Sequence, residues 1–310
     1  MNFMKRKIAI IGAGAIGCYY GCRLAKAGED VHFLLRGDYE AVRTSGRMRV
    51  ALPKEEIVVA APQIHRTPAE IGPCDLVIVG LKTTANDRFA ELITPLLHAG
   101  TAILTLQNGL GSDALLAVLF GAERVLGGLC FIAANRTAPG EIVCIDPGSV
   151  AFGEYGRPAG ERVREIAVMF ERAGVRSTVG DHLAELRWIK LVWNVPFNGL
   201  SIAAGGIPTD LILASAELEG VVRALMAEVI DAAGKLGHVI LPGFIEKQVS
   251  RTRLMGSYRP SSLIDYLEKR EVEVEAIWGE PMRQAQQAGA AVPRLEMLYA
   301  LLKRLTSQAH

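Results

Sequence analysis

Apolar residues in the first half of the chain come in short β-branched runs separated by helix-length stretches. Lys7 to Ile11, Val31 to Leu35, Asp75 to Leu81 and Thr101 to Leu106 each read as a strand. The stretch from Ala15 to near Gly28 and the run from Asn86 to Leu97 carry helical period. Further on, Val125 to Ile132, Ile142 to Ile145 and Val150 to Phe152 predict shorter strands, Glu161 to Ala173 a helix, and Val175 to Val179 a closing strand. Near-continuous apolar strands spaced by helices imply a doubly wound parallel sheet, because a strand covered on both faces has no need of polar alternation.

After Gly180 the pattern changes. Asp181 is a candidate N-cap, and from there the chain is helical in period with few strand signals. Asp210 to Leu236 predicts one long helix, closed by Gly237 as its C-cap. Phe244 to Met255, Val274 to Ala288 and Pro293 to Leu305 predict further helices. The expected organisation is an α/β domain over 1–180 followed by a smaller all-α domain over 181–310.

Composition narrows the function. The 310 residues are 50% hydrophobic and 22% charged, enough for a substantial core in each domain. A net charge of +1 with dispersed Lys and Arg lacks the basic stripe of a nucleic-acid binder. Cys18, Cys22, Cys74, Cys130 and Cys144 form no CxxC pair, and no His or Cys cluster completes a metal site around the first two. They read as buried free thiols in a reducing compartment. Met4-Lys5-Arg6-Lys7 before an apolar run resembles a signal peptide superficially, but three glycines break that run. No window is apolar enough to span a membrane, so a soluble cytoplasmic protein is expected.

Two constellations carry chemistry. Gly12-Ala13-Gly14-Ala15-Ile16-Gly17 is a GxGxxG between a strand and a helix. In a dinucleotide site of Rossmann type, the first glycine makes the turn and the second admits the pyrophosphate. The third lets helix and strand pack, so the helix N-terminus faces the phosphates. A tight strand-to-helix turn without a ligand is the plain alternative. An NAD reader would place Asp or Glu at the end of the second strand, whereas this chain places Arg36 there. A guanidinium pairs bidentately with a 2′-phosphate, which favours NADP(H). Asp38 nearby is a candidate N-cap for the next helix.

The second constellation is Lys190, Asn194 and Asn198, spaced four apart and therefore on one helix face. Their neighbours are Trp, Leu, Val and Phe, and Pro196 is expected to kink the helix or end its regular part. A Lys in such a setting is costly unless paired or functional, and burial lowers an ammonium pKa toward a general-acid range. Read alone, the stripe is equally an exposed Lys with two capping or surface asparagines.

Together with Leu81-Lys82, Gln107-Asn108-Gly109, Arg259-Pro260-Ser261-Ser262 and Glu273-Val274-Glu275, these elements follow one family's order over nearly the whole chain. The sequence resembles the ketopantoate reductases. That resemblance implies a Rossmann domain followed by an all-α domain, and NADPH-dependent reduction of 2-dehydropantoate to pantoate, a step toward coenzyme A. It implies that Lys190 is the general acid and that Glu273 orients the substrate. Asn194, Asn198 and Ser261 would hold the substrate, with Ser262 the alternative and a helix N-cap the plain reading of Ser261. Asn108 would touch both nicotinamide ribose and substrate. Gly12, Gly14, Ala15, Ile16, Gly17, Arg36 and Lys82 would line the cofactor. Glu268, Glu271 and Glu275 crowd Glu273, so its choice rests on the family pattern alone. Many members carry a His or Thr-His where this chain reads Gly128 to Ala134, which leaves the particular 2-keto acid open. The apolar C-terminal helices suit either a homodimer interface or closure over the substrate.

Overall fold

The computed structural model describes residues 5–241 and 243–307. Met4 of the basic start lies outside these, as do the outermost residues of the two expected domains. The chain forms two compact units. One is built from the chain up to Gln107 together with Ser112–Leu183, the other from Asn108–Gly111 together with the chain from Ala184 onward.

The first unit contains, in order, β1 (Lys7–Ile11), α1 (Ala15–Lys26), β2 (Asp30–Leu34), α2 (Tyr39–Ser45), β3 (Arg47–Ala51) and β4 (Glu56–Ala60). There follow β5 (Gln63–His65), α3 (Pro68–Ile71), β6 (Leu76–Val79), α4 (Phe89–Ile93) and β7 (Ala102–Thr105). α5 (Ser112–Phe120), β8 (Val125–Ala138), β9 (Glu141–Glu154), α6 (Glu161–Arg172) and β10 (Ser177–Val179) complete it. Successive residues of β1 feed opposite faces of the sheet: Ile8 and Ile10 join one hydrophobic core, Ala9 and Ile11 the other. That two-sided burial is why the strand reads as an unbroken apolar run.

All strands belong to one sheet, ordered β4-β3-β9-β8-β7-β6-β1-β2-β5, with β10 beside β9. Strands β5-β2-β1-β6-β7-β8 are parallel neighbours in the order of dinucleotide-binding sheets, with the switch point between β1 and β6. The rest departs from the sequence expectation. The three short strands expected between Val125 and Phe152 are one antiparallel hairpin of two 14-residue strands, β8 and β9. Register shifts near Phe131, Ala133 and Arg136 break its alternation. At Gly148 an added Cβ would fall 1.5 Å from the Phe131 carbonyl oxygen, so Asp146-Pro147-Gly148 is an irregularity inside a strand and imitates a turn. β3, β4 and β5 escaped the sequence reading because they are short and much of their surface is exposed, with Arg47 and Arg49 also breaking the apolar pattern of β3.

The second unit is helical: α7 (Leu183–Ala203), α8 (Thr209–Ala214), α9 (Ala216–Lys235), α10 (Phe244–Arg253) and α11 (Ser261–Leu267). A π-helical turn, Glu275–Gly279, leads into α12 (Glu280–Gln287), and α13 (Pro293–Thr306) ends the described chain. Asp181 lies ahead of α7 rather than at its cap. The long helix expected from Asp210 is two helices. Ser215 interrupts it and caps α9, its side chain accepting from Leu218 N at 3.2 Å. A Ser at this position satisfies an otherwise orphaned donor, so the break is locally favoured. The buried Glu228 carboxylate of α9 performs the same task for α13, accepting from Arg294 N at 3.1 Å and Leu295 N at 3.0 Å. Among the described residues no helix is long and apolar enough to cross a membrane.

Candidate functional site

In the first unit the three glycines of the β1–α1 turn do separate jobs. Gly12 has φ +89°, and an added Cβ would sit 2.4 Å from Leu81 N, in the loop after β6. At Gly17 a Cβ would lie 2.2 Å from the Gly12 carbonyl oxygen and 3.1 Å from Ile10 Cγ2, so helix and strand pack only without it. The Cβ of a residue at 14 would meet nothing within 4 Å. Gly14 is the N-cap of α1 and offers no side-chain cap, so the first-turn amides of the helix have no partner from that side chain. This is a cradle of the kind that accepts a diphosphate. Arg36 is exposed just beyond β2, and Lys82 is exposed just beyond β6. Asp38 holds the N-cap position of α2, yet its carboxylate makes no capping bond.

The polar stripe lies in the second unit. α7 continues through Pro196 to Ala203, so of the two outcomes expected of the proline, a kink or an end to the helix, it does not end the helix. Lys190 is half-buried, while Asn194 and Asn198 are buried. Lys190 Nζ donates to Asn108 Oδ1 at 2.6 Å. Asn108 reaches this unit because the chain leaves the first unit at Gln107 and returns at Ser112. Asn86 ties both ends of that excursion, accepting from Gln107 Nε2 at 2.8 Å and donating to Ser112 Oγ at 3.0 Å. Its tip is pinned to the π-helical turn, where Leu110 N donates to the Ala276 carbonyl at 2.9 Å. Gly109, with φ +76°, lies so close that an added Cβ would fall 2.2 Å from that same oxygen. A backbone approach of this kind needs glycine.

Asn198 Oδ1 accepts from Ser262 N at 3.1 Å. The donor is the Ser262 backbone amide; Ser262 is 3% exposed, whereas Ser261 is exposed in the first turn of α11 and makes no side-chain cap. Among the four clustered glutamates, Glu268, Glu271 and Glu275 are exposed and Glu273 is buried. Burial pushes the Glu275 carboxyl up, but hydrogen bonds from Tyr299 and Arg283 outweigh it and hold the group below its usual value. Glu275 thus belongs to a surface network. Trp278 is fully buried and donates Nε1 to the Val195 carbonyl at 2.9 Å, bracing the middle of α7.

One unit thus holds an ammonium paired with Asn108, a buried carboxylate at Glu273, and buried amides at Asn194 and Asn198. The ketopantoate reductase PanE/ApbA family model matches residues 8–157, and its C-terminal counterpart matches residues 182–306. The chain belongs to the ketopantoate reductase family. It is accordingly an oxidoreductase acting on a CH–OH group. It is 38% identical to a 2-dehydropantoate 2-reductase of Nostoc sp. over 306 residues, covering 97% of this chain and 95% of that one. The crystal structure of a 2-dehydropantoate 2-reductase from Geobacter metallireducens is 46% identical, with a TM-score of 0.93 over 96% of this chain and 99% of the other. That of the Methylococcus capsulatus enzyme is 34% identical, with a TM-score of 0.89 over 97% of each chain. A D-mandelate dehydrogenase solved with NADH and anilino(oxo)acetate is 20% identical, with a TM-score of 0.87 over 97% of this chain and 98% of the other, and shares the fold.

Sequence reasoning missed three features of this reductase. The pairing of Asn108 with Lys190 joins residues 82 apart in sequence, and its available signal was the glycine after Asn108. The anchor at Ala276 sits in a π-helical turn that no residue type marks. Gly199, on α7, faces Trp278 and Leu298 so closely that a Cβ would lie 2.9 Å and 2.7 Å from them.

Proposed function

We propose that the chain reduces 2-dehydropantoate to pantoate with NADPH, a step toward coenzyme A, and that Lys190 supplies the proton. The observation that carries this reading is the 2.6 Å bond from Lys190 Nζ to Asn108 Oδ1. A neutral amide uses one of the ammonium's three donors and fixes its direction without discharging it. The relatives named 2-dehydropantoate 2-reductase support the choice of substrate.

The residues of the β1–α1 turn fit the cofactor. Gly14 leaves open space before uncapped amides of a 12-residue helix, and Arg36 stands at the ribose-reading end of β2. In this reading the domain over 1–180 takes the cofactor, with Gly12, Gly14, Ala15, Ile16, Gly17, Arg36 and Lys82 lining it. The domain over 181–310 takes the substrate. A bound nicotinamide supplies hydride to the keto carbon. As the carbonyl oxygen gains charge, Lys190 Nζ gives it a proton, and the lysine left neutral is reprotonated from solvent. Such proton transfer contributes a factor of roughly 10²–10⁴, and the cation stabilises the developing alkoxide before transfer is complete. Asn108 aims Lys190 and is the residue that would contact the nicotinamide ribose. Asn194, Asn198 and Ser262 hold the substrate's carboxylate and hydroxyl, with Ser262 replacing the expected Ser261. Glu273 accepts from the terminal hydroxyl of 2-dehydropantoate.

The test is oxidation of NADPH and of NADH by the purified protein with 2-dehydropantoate, pyruvate and 2-ketoisovalerate. Fast turnover on NADPH with 2-dehydropantoate alone is expected. Turnover only on one of the other two acids would reject the named substrate and direct attention to Cys130 to Ala134 of β8, where this chain departs from many family members.

A further inference from the structure

Asp38 stands where β2 ends and α2 begins, just past Arg36. Capping the helix is the ordinary use of an Asp at this position. Here the carboxylate is turned away, and Asp38 Oδ2 accepts from Arg136 Nη1, which reaches over from β8. The Asp38 side chain is 14% exposed, against 47% for Arg136. The pair lies just past the end of β2, the place from which the adenosine ribose of a dinucleotide is read in this fold.

Arg136 is held there by its own hairpin. Gly140, just past the end of β8, has φ +70°, and an added Cβ would lie 2.9 Å from Val42 Cγ2 of α2. Its carbonyl accepts from Arg49 N at 2.8 Å. The hairpin end is thus packed on the helix that Asp38 begins.

The electrostatic consequence follows from charge. Arg36 alone offers one cation to a 2′-phosphate. An unmasked Asp38 would set a carboxylate against that phosphate and would instead accept hydrogen bonds from a bare ribose hydroxyl, the task of the acidic residue in NAD readers. We propose that Arg136 masks Asp38 and thereby completes a subsite selective for the 2′-phosphate of NADP(H) over the unphosphorylated cofactor. This rests on the reductase reading above and adds a specificity determinant from β8, far in sequence from the strand end that carries Arg36.

Binding of adenosine 2′,5′-bisphosphate and of adenosine 5′-monophosphate, measured by calorimetry, isolates the 2′-phosphate without any turnover. The wild-type chain should prefer the bisphosphate. Arg136→Gln should reduce that preference roughly tenfold or more, because it exposes a carboxylate to an anion. Asp38→Asn should keep the preference, and the double variant Asp38→Asn/Arg136→Gln should regain most of it. A purely structural brace would lower thermal stability in R136Q without moving the preference. A wild-type preference that R136Q leaves unchanged, or that the double variant fails to restore, overturns this inference alone. Equal binding of the two fragments by the wild-type chain overturns the NADPH reading and the inference with it.

Discussion

Replacing Gly109 with Ala tests whether the backbone anchor at Ala276 sets the position of Lys190's partner. The new Cβ would start 2.2 Å from the Ala276 carbonyl oxygen and 2.9 Å from Ala276 Cβ, both parts of a buried turn. Relief to ordinary contact requires the loop to retreat by about 1 Å. The φ of +76° adds roughly 1–2 kcal/mol for a residue with a side chain. Losing the Leu110–Ala276 bond adds about 0.5–1.5 kcal/mol. A total near 2–3 kcal/mol lowers Tm by several degrees. The larger effect is on rate. A displacement of about 1 Å at a catalytic group costs on the order of a hundredfold in kcat, because Asn108 Oδ1 no longer meets Lys190 Nζ. The assay is steady-state turnover of 2-dehydropantoate with NADPH, alongside NADPH binding, which the Gly12–Gly17 turn should preserve. Gly111→Ala is the control. It has φ +95°, but its Cβ lies 3.6 Å from the nearest atom, Glu280 Cγ. It should lose only the roughly 1–2 kcal/mol of backbone strain, with little loss of kcat. Equal kcat in the two variants would refute the argument that the excursion positions Asn108.

The remaining predictions concern stability. Gly199→Ala forces a methyl against Trp278 Nε1 and Leu298 Cδ2. Overpacking of about 1–3 kcal/mol, reduced by the roughly 1 kcal/mol of helix propensity that Ala gains, leaves a net loss of up to about 2 kcal/mol, readable as a lower denaturant midpoint with unchanged m-value. His32 Nδ1 and His65 Nε2 lie 3.0 Å apart, and burial holds both imidazoles below the usual 6.5, for His32 against the opposing pull of Asp30. The folded state thus favours the neutral rings, so their contribution is complete above pH 6.5 and is lost as pH falls through the depressed values. Thermal melts should be flat from about pH 7 to 8 and fall at about pH 5.5, and His65→Gln should blunt that fall. An identical fall in the variant would assign it elsewhere.

Legibility in the sequence followed local geometry. β1 and its glycine turn were readable because two-sided burial and backbone approach each impose a residue type on adjacent positions. The Lys190 stripe was readable because helical spacing alone puts Asn194 and Asn198 on its face. The β8–β9 hairpin was not, since Asp146-Pro147-Gly148 carries turn chemistry in mid-strand. Neither was the break at Ser215, where a single cap residue divides an otherwise continuous apolar pattern. The burial of Glu273 beside an exposed Glu275, and of Ser262 beside an exposed Ser261, is tertiary and leaves no mark on local spacing. The partnership of Asp38 with Arg136 crosses from one strand end to a distant hairpin, beyond any spacing rule.

Lys190→Ala, assayed for NADPH oxidation with 2-dehydropantoate and for NADPH binding by fluorescence, tests the central claim most directly. The cofactor turn is built from other residues, so affinity for NADPH should stay within about twofold, while kcat falls by roughly 10²–10⁴. A variant that binds NADPH and turns over 2-dehydropantoate within about tenfold of the wild-type rate would contradict the assignment of Lys190 as the proton donor.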